Sequence, residues 1–308
     1  MLDNVLLAIA RFLYFLLSLL PHSVRVSFFG SIFYLLFTRI PRMRVSIRKN
    51  LEIAFPERDE AWRRDLISKN AREIGRLAAD SVRLPALDAE WVREHVSCPN
   101  LENYLACLQK QNGKGVLIAT GHLGSFELLG HAIGLMGHPL AAVARNFRSD
   151  RFDAWWTGLR EARGNKIIGR KGAFKEIVST ISSGMSVAVL FDQNVTKNHA
   201  VFVDWCGVQA ATSKSLALAA LRCEVPIYVA SIRYVGDDKY VIDSQECDFS
   251  ALYSDDALST DEKVFKITQQ ISDIYVGMIR GFPEGWFWMH RRWKTRPDGE
   301  PENRYKGT

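Results

Sequence analysis

At 308 residues and 47% hydrophobic composition, the chain is long enough to bury a sizeable core, as one large domain or two small ones, and we read one. A formal net charge of +6 and a pI near 9.1 point to an anionic partner (membrane surface, phosphorylated lipid, acidic carrier protein or nucleic acid), while a mean hydropathy of −0.07 excludes a polytopic membrane protein. The five cysteines, Cys98, Cys107, Cys206, Cys223 and Cys247, are scattered, odd in number and without a Cys-x-x-Cys pair; this argues against a disulfide framework or a zinc site and fits a reducing, cytosol-facing body.

Residues 5–20 (VLLAIARFLYFLLSLL) are apolar apart from Arg11 and Ser18. At 1.5 Å per residue they reach about 24 Å against a hydrocarbon core of about 30 Å, so they span only marginally. After Pro21-His22 a second apolar run, residues 26–37, is shorter still. The two runs predict a membrane anchor over residues 1–38, either an interfacial helical hairpin or one short span with an interfacial helix. A cleaved signal peptide fits less well, because a basic start and a small-residue cleavage site are missing. Arg39, Arg42, Arg44, Arg48 and Lys49 follow. By the positive-inside bias they place the remaining domain, residues 39–308, in the cytoplasm against anionic headgroups, although charge alone reads equally as a solvated linker. Residues 59–84 predict a helix with Leu66, Ile74, Leu77, Ala78 and Ser81 on one face, ended by Pro85, whose role is packing.

From Gly115 to Ser231 short apolar runs alternate with helical spacing. Strands are expected at 115–120, 140–144, 166–168, 186–191 and 227–232, and helices at 126–136, 150–162, 172–183 and 213–222. This is an α/β plan, a largely parallel central sheet flanked by helices. Ligands in such sheets sit at the carboxyl ends of strands, and there stand His122, Arg145, Arg170 and the pair Asp192-Gln193. In Gly121-His-Leu-Gly-Ser-Phe-Glu127 the histidine occupies the turn, Ser125 is the expected N-cap, and Glu127 falls in the first helical turn, where the helix dipole holds a carboxylate ionised. A five-residue step across a turn brings imidazole and carboxylate within reach, as a general base and its orienting partner. One histidine near one glutamate is common, so the pair alone does not decide. Arg145, Arg148 and Arg151, and Lys166, Arg170, Lys171 and Lys175, form basic clusters that read as solvated surface or as an anion site.

The last helix opens with the capping box Ser259-x-x-Glu262, carries an apolar stripe from Val264 to Met278, and stops at Gly281 and Pro283. The segment Trp286–Arg296 mixes aromatic and basic residues, fit for headgroups or nucleic acid; with an apolar stretch at the other end of the chain and no recognisable nucleic-acid module, headgroups are favoured. No Gly-x-Ser-x-Gly elbow is present, so the sequence signals no serine nucleophile of that kind.

Gly-His-x-Gly-x-x-Glu resembles the catalytic His-x4-Asp/Glu block of the bacterial lipid A biosynthesis acyltransferases, a branch of the glycerolipid acyltransferase superfamily. Further blocks are similar to that family: Asn50-Leu51 with Ala54-Phe55-Pro56-Glu57, Gly164-x-x-Ile-Ile-x-Arg170, Leu190-Phe-Asp-Gln193 with the following Phe202…Gly207…Thr212, Val225-Pro-Ile227, and the Trp286–Arg296 segment. Asp204-Trp205-Cys206 departs from the family's aromatic pair before the glycine. The resemblance implies a glycerolipid acyltransferase-like fold and direct acyl transfer, without cofactor or metal, from an acyl thioester on acyl carrier protein or coenzyme A to a hydroxyl of a lipid A precursor or related phosphorylated glycolipid. His122 and Glu127 would be catalytic, Arg170 and then Arg145 would hold acceptor phosphate, and Asp192 and Gln193 would bind substrate. The implied location is the cytoplasmic face of a bacterial inner membrane. The rival reading from another class is a non-enzymatic peripheral membrane protein that binds anionic lipid.

Overall fold

The computed structural model describes residues 2–300 and 305; Met1 and the remainder of the expected 39–308 domain's C-terminus lie outside the described residues. The N-terminal quarter is helical: α1 (Leu2–Ser18), α2 (His22–Arg39), α3 (Pro41–Ala54) and α4 (Glu60–Arg83). Asp59 caps α4 by accepting from the Trp62 amide at 2.8 Å. Then follow α5 (Ala89–His95), β1 (Val96–Ser97), α6 (Leu101–Gln109) and β2 (Leu117–Thr120). The alternating part continues with α7 (Phe126–Leu135), β3 (Ala141–Ala144), α8 (Asp150–Glu161), β4 (Lys166–Gly169), α9 (Ala173–Ser182) and β5 (Val187–Leu190). A separate antiparallel hairpin, β6 (Ala200–Trp205) and β7 (Val208–Ser213), precedes α10 (Ser215–Cys223) and the long strands β8 (Ile227–Gly236) and β9 (Lys239–Cys247). The short α11 (Ser250–Tyr253) leads to α12 (Thr260–Gly281), whose capping box at Ser259 and Glu262 is formed as expected.

The central sheet has the order β1-β9-β8-β2-β5-β3-β4. Strands β8, β2, β5, β3 and β4 are mutually parallel, and β9 is antiparallel to β8. Both faces are covered. Leu117 and Ala119 of β2 face a core built with α3, α4, α10 and α12, while Val116 and Ile118 face a second core built with α5, α6 and α7. The α/β plan is therefore as read from the sequence, with an antiparallel extension at one edge that the alternation did not reveal.

Two expectations change. No single described helix is long and apolar enough to cross a membrane; α2 and α3 pass that test only together and are bent by 88°. Nor is α2 detached from the body, since a Cβ on Gly75 of α4 would lie 2.4 Å from the Gly30 amide nitrogen of α2, so that only glycine permits so close a crossing. Large apolar side chains do remain exposed on α1 and α2, among them Leu6, Phe12, Leu13, Phe15, Phe28 and Leu35.

The tryptophan segment at the C-terminus is also not a headgroup surface. Trp286, Trp288, Trp293 and Arg292 are all buried. Arg292 stacks on Trp205, 4.2 Å from its ring centre, and donates to the Ala211 carbonyl and the Thr212 hydroxyl, which explains how a guanidinium is accommodated in the core. Buried asparagines from the N-terminal helices clamp this segment's backbone. Asn50 Nδ2 donates to the Trp288 and His290 carbonyls at 2.6 Å each, and Asn70 Nδ2 to those of Glu284 and Trp286 at 2.7 Å each.

Candidate active site

Strands β2 and β5 run side by side with Thr120 opposite Leu190, and the Phe191 amide donates to the Thr120 carbonyl at 2.9 Å. The two residues that follow each strand therefore leave the sheet together, and these are Gly121-His122 and Phe191-Asp192. His122 Nδ1 stands 2.8 Å from Asp192 Oδ1. The other carboxylate oxygen accepts the His122 amide and the Trp286 indole N–H, each at 2.8 Å. Burial pushes the Asp192 carboxyl up, but the facing His122 and these donors outweigh it and hold the group below its usual value. An ionised carboxylate only accepts, so Nδ1 carries the ring hydrogen and Nε2 is left as the basic nitrogen. Nε2 faces the Gln193 amide nitrogen at 3.2 Å.

The glycines around His122 have specific reasons. A Cβ on Gly121 would lie 2.5 Å from Asp192 Cγ and 2.6 Å from the Tyr275 hydroxyl; Gly124 has φ +64° and would drive a Cβ to 1.8 Å from the Ile232 carbonyl oxygen. The turn is also tied to the C-terminal segment, with the Gly124 amide donating to Gly285 and the Phe287 amide to the His122 carbonyl. Phe126 and Phe287 flank the imidazole ring, with centroids 5.0 and 5.6 Å away. Below, His290 Nε2 accepts the Asn194 amide at 2.9 Å, and burial lowers its pKa to about 4, so it is the neutral acceptor this bond requires.

Glu127 is not the partner of His122. It sits in the first turn of α7 as expected, but its carboxylate is gripped by both ends of the Arg160 guanidinium from α8, with Nε to Oε2 at 3.0 Å and a second bond from Nη2 to Oε1. A planar fork meeting a carboxylate two-to-two outcompetes a single imidazole N–H. Ser125 occupies the N-cap position, yet its hydroxyl makes no capping bond and donates instead to Asp80 of α4. Arg160 and the Trp286 indole escaped the sequence reading. Arg160 lies 33 residues from Glu127 with no local signal, whereas Trp286 was visible as part of an aromatic block without a partner.

His122, Glu127, Gln193, Arg145, Arg170 and Arg160 all line one open cleft of about 1010 Å³. Arg145 and Arg170 follow β3 and β4 directly, are exposed, and make no ion pair among the described residues. A narrow apolar cavity of about 80 Å³ adjoins it between α7, α6 and the sheet; Phe126, Gly130, Leu140, Ala142 and Leu190 line both spaces.

A profile of the bacterial lipid A biosynthesis acyltransferase family matches residues 2–295. The lipid A biosynthesis palmitoleoyltransferase of Escherichia coli (strain K12) is 27% identical over 258 residues, covering 82% of this chain and 79% of that protein. The lauroyltransferase of the same organism is 26% identical over 260 residues, covering 83% and 80%. The phosphatidylinositol mannoside acyltransferase of Mycolicibacterium smegmatis (strain ATCC 700084 / mc(2)155) is 21% identical over 233 residues, covering 74% and 72%. Because the match runs from the first helix through the tryptophan segment that supports Asp192, the chain belongs to the bacterial lipid A biosynthesis acyltransferase family.

Proposed function

We propose that this chain transfers a fatty acyl group from a thioester, on acyl carrier protein or coenzyme A, to a hydroxyl of a lipid A precursor or related phosphorylated glycolipid. The observation that carries the reading is the His122–Asp192 pair, which opens into a cleft adjoining an apolar cavity. His122 Nε2 removes the acceptor hydroxyl's proton as its oxygen attacks the thioester carbonyl carbon, and Asp192 stabilises the imidazolium that forms. The C–S bond then breaks, and the imidazolium returns the proton to the leaving thiolate. The acceptor hydroxyl displaces the Gln193 amide from Nε2, leaving that N–H close enough to face the developing oxyanion.

The acyl chain enters the cavity behind Phe126 and Gly130. Arg145 and Arg170, exposed in the lining of the cleft, hold acceptor phosphate through forked, charge-assisted hydrogen bonds. Relatives named for lipid A and for phosphatidylinositol mannoside match 82% and 74% of this chain, which supports a phosphorylated glycolipid as the acceptor class. The exposed apolar surface of α1 and α2, next to Arg39, Arg42, Arg44 and Arg48, supports work at the cytoplasmic face of a bacterial inner membrane.

Purified protein supplied with acyl thioester and a phosphorylated lipid A precursor should release thiol and acylated lipid in equal amounts, followed by thiol titration and mass spectrometry. A folded His122→Ala variant should lose at least about 100-fold in turnover. Near-normal acylated-lipid formation by that variant rejects the mechanism, and no acylated lipid from the unaltered protein rejects the activity.

A further inference from the structure

Among the described residues, the buried charge with the most partners outside the His122–Asp192 pair is Asp80 on α4. Its side chain is fully buried, and groups from four segments converge on it. The Ser125 hydroxyl donates from the start of α7, the Tyr240 hydroxyl from β9 lies 3.0 Å from both oxygens, Arg83 Nη2 is at 2.8 Å, and His22 Nε2 at 2.9 Å comes from the first residue of α2. Arg83 also binds Asp238 at 2.8 Å, and the other ring nitrogen of His22 lies 3.6 Å from the same Asp238. Burial opposes a charge on Asp80, yet His22, Arg83 and Ser125 overcome it and keep the carboxyl below its ordinary value.

Apolar residues would pack this place as well or better, since burying an ion network is seldom a net gain in stability. What the carboxylate supplies is a fixed direction for Ser125. That residue lies three positions after His122, and its hydroxyl is turned away from capping its own helix. The turn Gly121–Ser125 is thus held at three points: by Asp192 on the ring and amide of His122, by the Gly285–Phe287 backbone, and by Asp80 on Ser125.

We propose that Asp80 is a positioning residue for His122, acting through Ser125, and that His22 ties the seating of the N-terminal helices α1 and α2 to the same turn. The inference rests on His122 being the base. A base displaced by a fraction of an ångström is still folded and still binds substrate, but it meets the acceptor hydroxyl in the wrong geometry.

The test is steady-state kinetics on the full chain carrying Ser125→Ala, His22→Ala, His22→Gln and the Ser125→Ala/His22→Ala pair, with His122→Ala alongside. Ser125→Ala should lower kcat roughly 10- to 100-fold while the thioester KM stays within about twofold. His22→Ala should act in the same direction, and His22→Gln, whose amide nitrogen reaches Asp80 as the imidazole does, should restore most of the loss. The pair should be little worse than Ser125→Ala alone, because His22 works through the bond that variant has already removed. Normal kcat in folded Ser125→Ala overturns the proposal, as does His22→Gln performing no better than His22→Ala. If His122→Ala abolishes turnover while Ser125→Ala and His22→Ala do not, only this inference fails; if His122→Ala retains turnover, the base and its positioning fall together.

Discussion

His122 had two carboxylates to choose from, and strand register decides between them. Glu127 is close in sequence, but Arg160 claims it; Asp192 is 70 residues away and arrives because β5 lies beside β2. Both residues were visible at strand ends, yet nothing in the local pattern encodes that β2 skips β3 and β4 to pair with β5, so Asp192 read as a substrate contact. The chemistry separates the two roles. In Asp192→Asn the amide oxygen takes over the bonds from the His122 amide and the Trp286 indole, which turns the amide N–H₂ toward Nδ1. That forces the hydrogen onto Nε2 and removes the base, so kcat should fall on the order of 10³-fold or more. Glu127→Gln leaves the dyad intact and loosens Arg160, so its effect should be smaller and lie mainly in acceptor KM; steady-state kinetics with equal kcat losses in both variants would contradict this assignment. Two further histidines bear on stability. Burial, aided by the charge of Arg163 at His131 and of Arg292 at His290, lowers each pKa from 6.5 to about 4. The unfolded chain therefore binds the proton more readily, and the stability each neutral ring contributes is complete above its unfolded pKa and lost as pH falls toward 4. Denaturant unfolding should show a loss of roughly 1 kcal/mol per histidine between about pH 7.5 and about pH 5.5, and His131→Leu should remove about half of that slope.

The alternating elements from β2 to β8 were legible to within a few residues, because buried parallel strands read as short apolar runs between helical periods. The hairpin β6–β7 was not. Its two-residue turn has φ of 59° at Cys206 and 82° at Gly207, and a cysteine in a position that favours asparagine or glycine carries no turn signal. The turn into β9, where Asp237 and Asp238 take φ of 47° and 56°, lies between residues 232 and 259, a stretch to which the sequence reading assigned no element. Among the helices, α7 has the most to do. It carries Glu127 toward the cleft and Phe126, Leu129, Gly130 and Ile133 toward the apolar cavity, so one element borders both proposed substrates. Ala188 on β5 lines that cavity and not the cleft. Ala188→Leu should fill it without touching His122, and each methylene of acyl chain excluded forfeits about 0.8 kcal/mol, or roughly fourfold in kcat/KM. A series of thioesters of increasing length should show the optimum moving to shorter chains; an unchanged optimum places the acyl chain elsewhere.

At the scale of the whole molecule, the N-terminal helices divide in a way that hydropathy alone hides. Two apolar runs of similar kind stand in the sequence, but α2 buries Val26 and Phe37 and crosses α4 at Gly30 and Gly75, whereas α1 touches the body through Tyr14, whose hydroxyl donates to the Val82 carbonyl and whose ring meets Trp155, and through Arg11, whose guanidinium lies over the same Trp155 ring. The apolar face left on α1 includes Leu6, Phe12, Leu13 and Phe15, and the basic residues Arg39, Arg42, Arg44 and Arg48 lie where α2 gives way to α3. On the proposed membrane reading, the apolar contact of α1 can therefore be removed while the basic residues of α2 and α3 stay in place. Deleting residues 1–20 should leave a folded protein, with a melting temperature close to that of the full chain, that floats poorly with vesicles of anionic phospholipid and keeps a weak, salt-sensitive residue of binding. Deleting residues 1–38 should strip Val26 and Phe37 from the core along with His22, at a cost of several kcal/mol, and yield aggregated or unfolded protein. Flotation of the 1–20 deletion at the level of the full chain in high salt would show that α1 is not the apolar contact. A well-folded 1–38 deletion would show that α2 is an appendage after all, and would detach the N-terminal helices from the turn that holds His122.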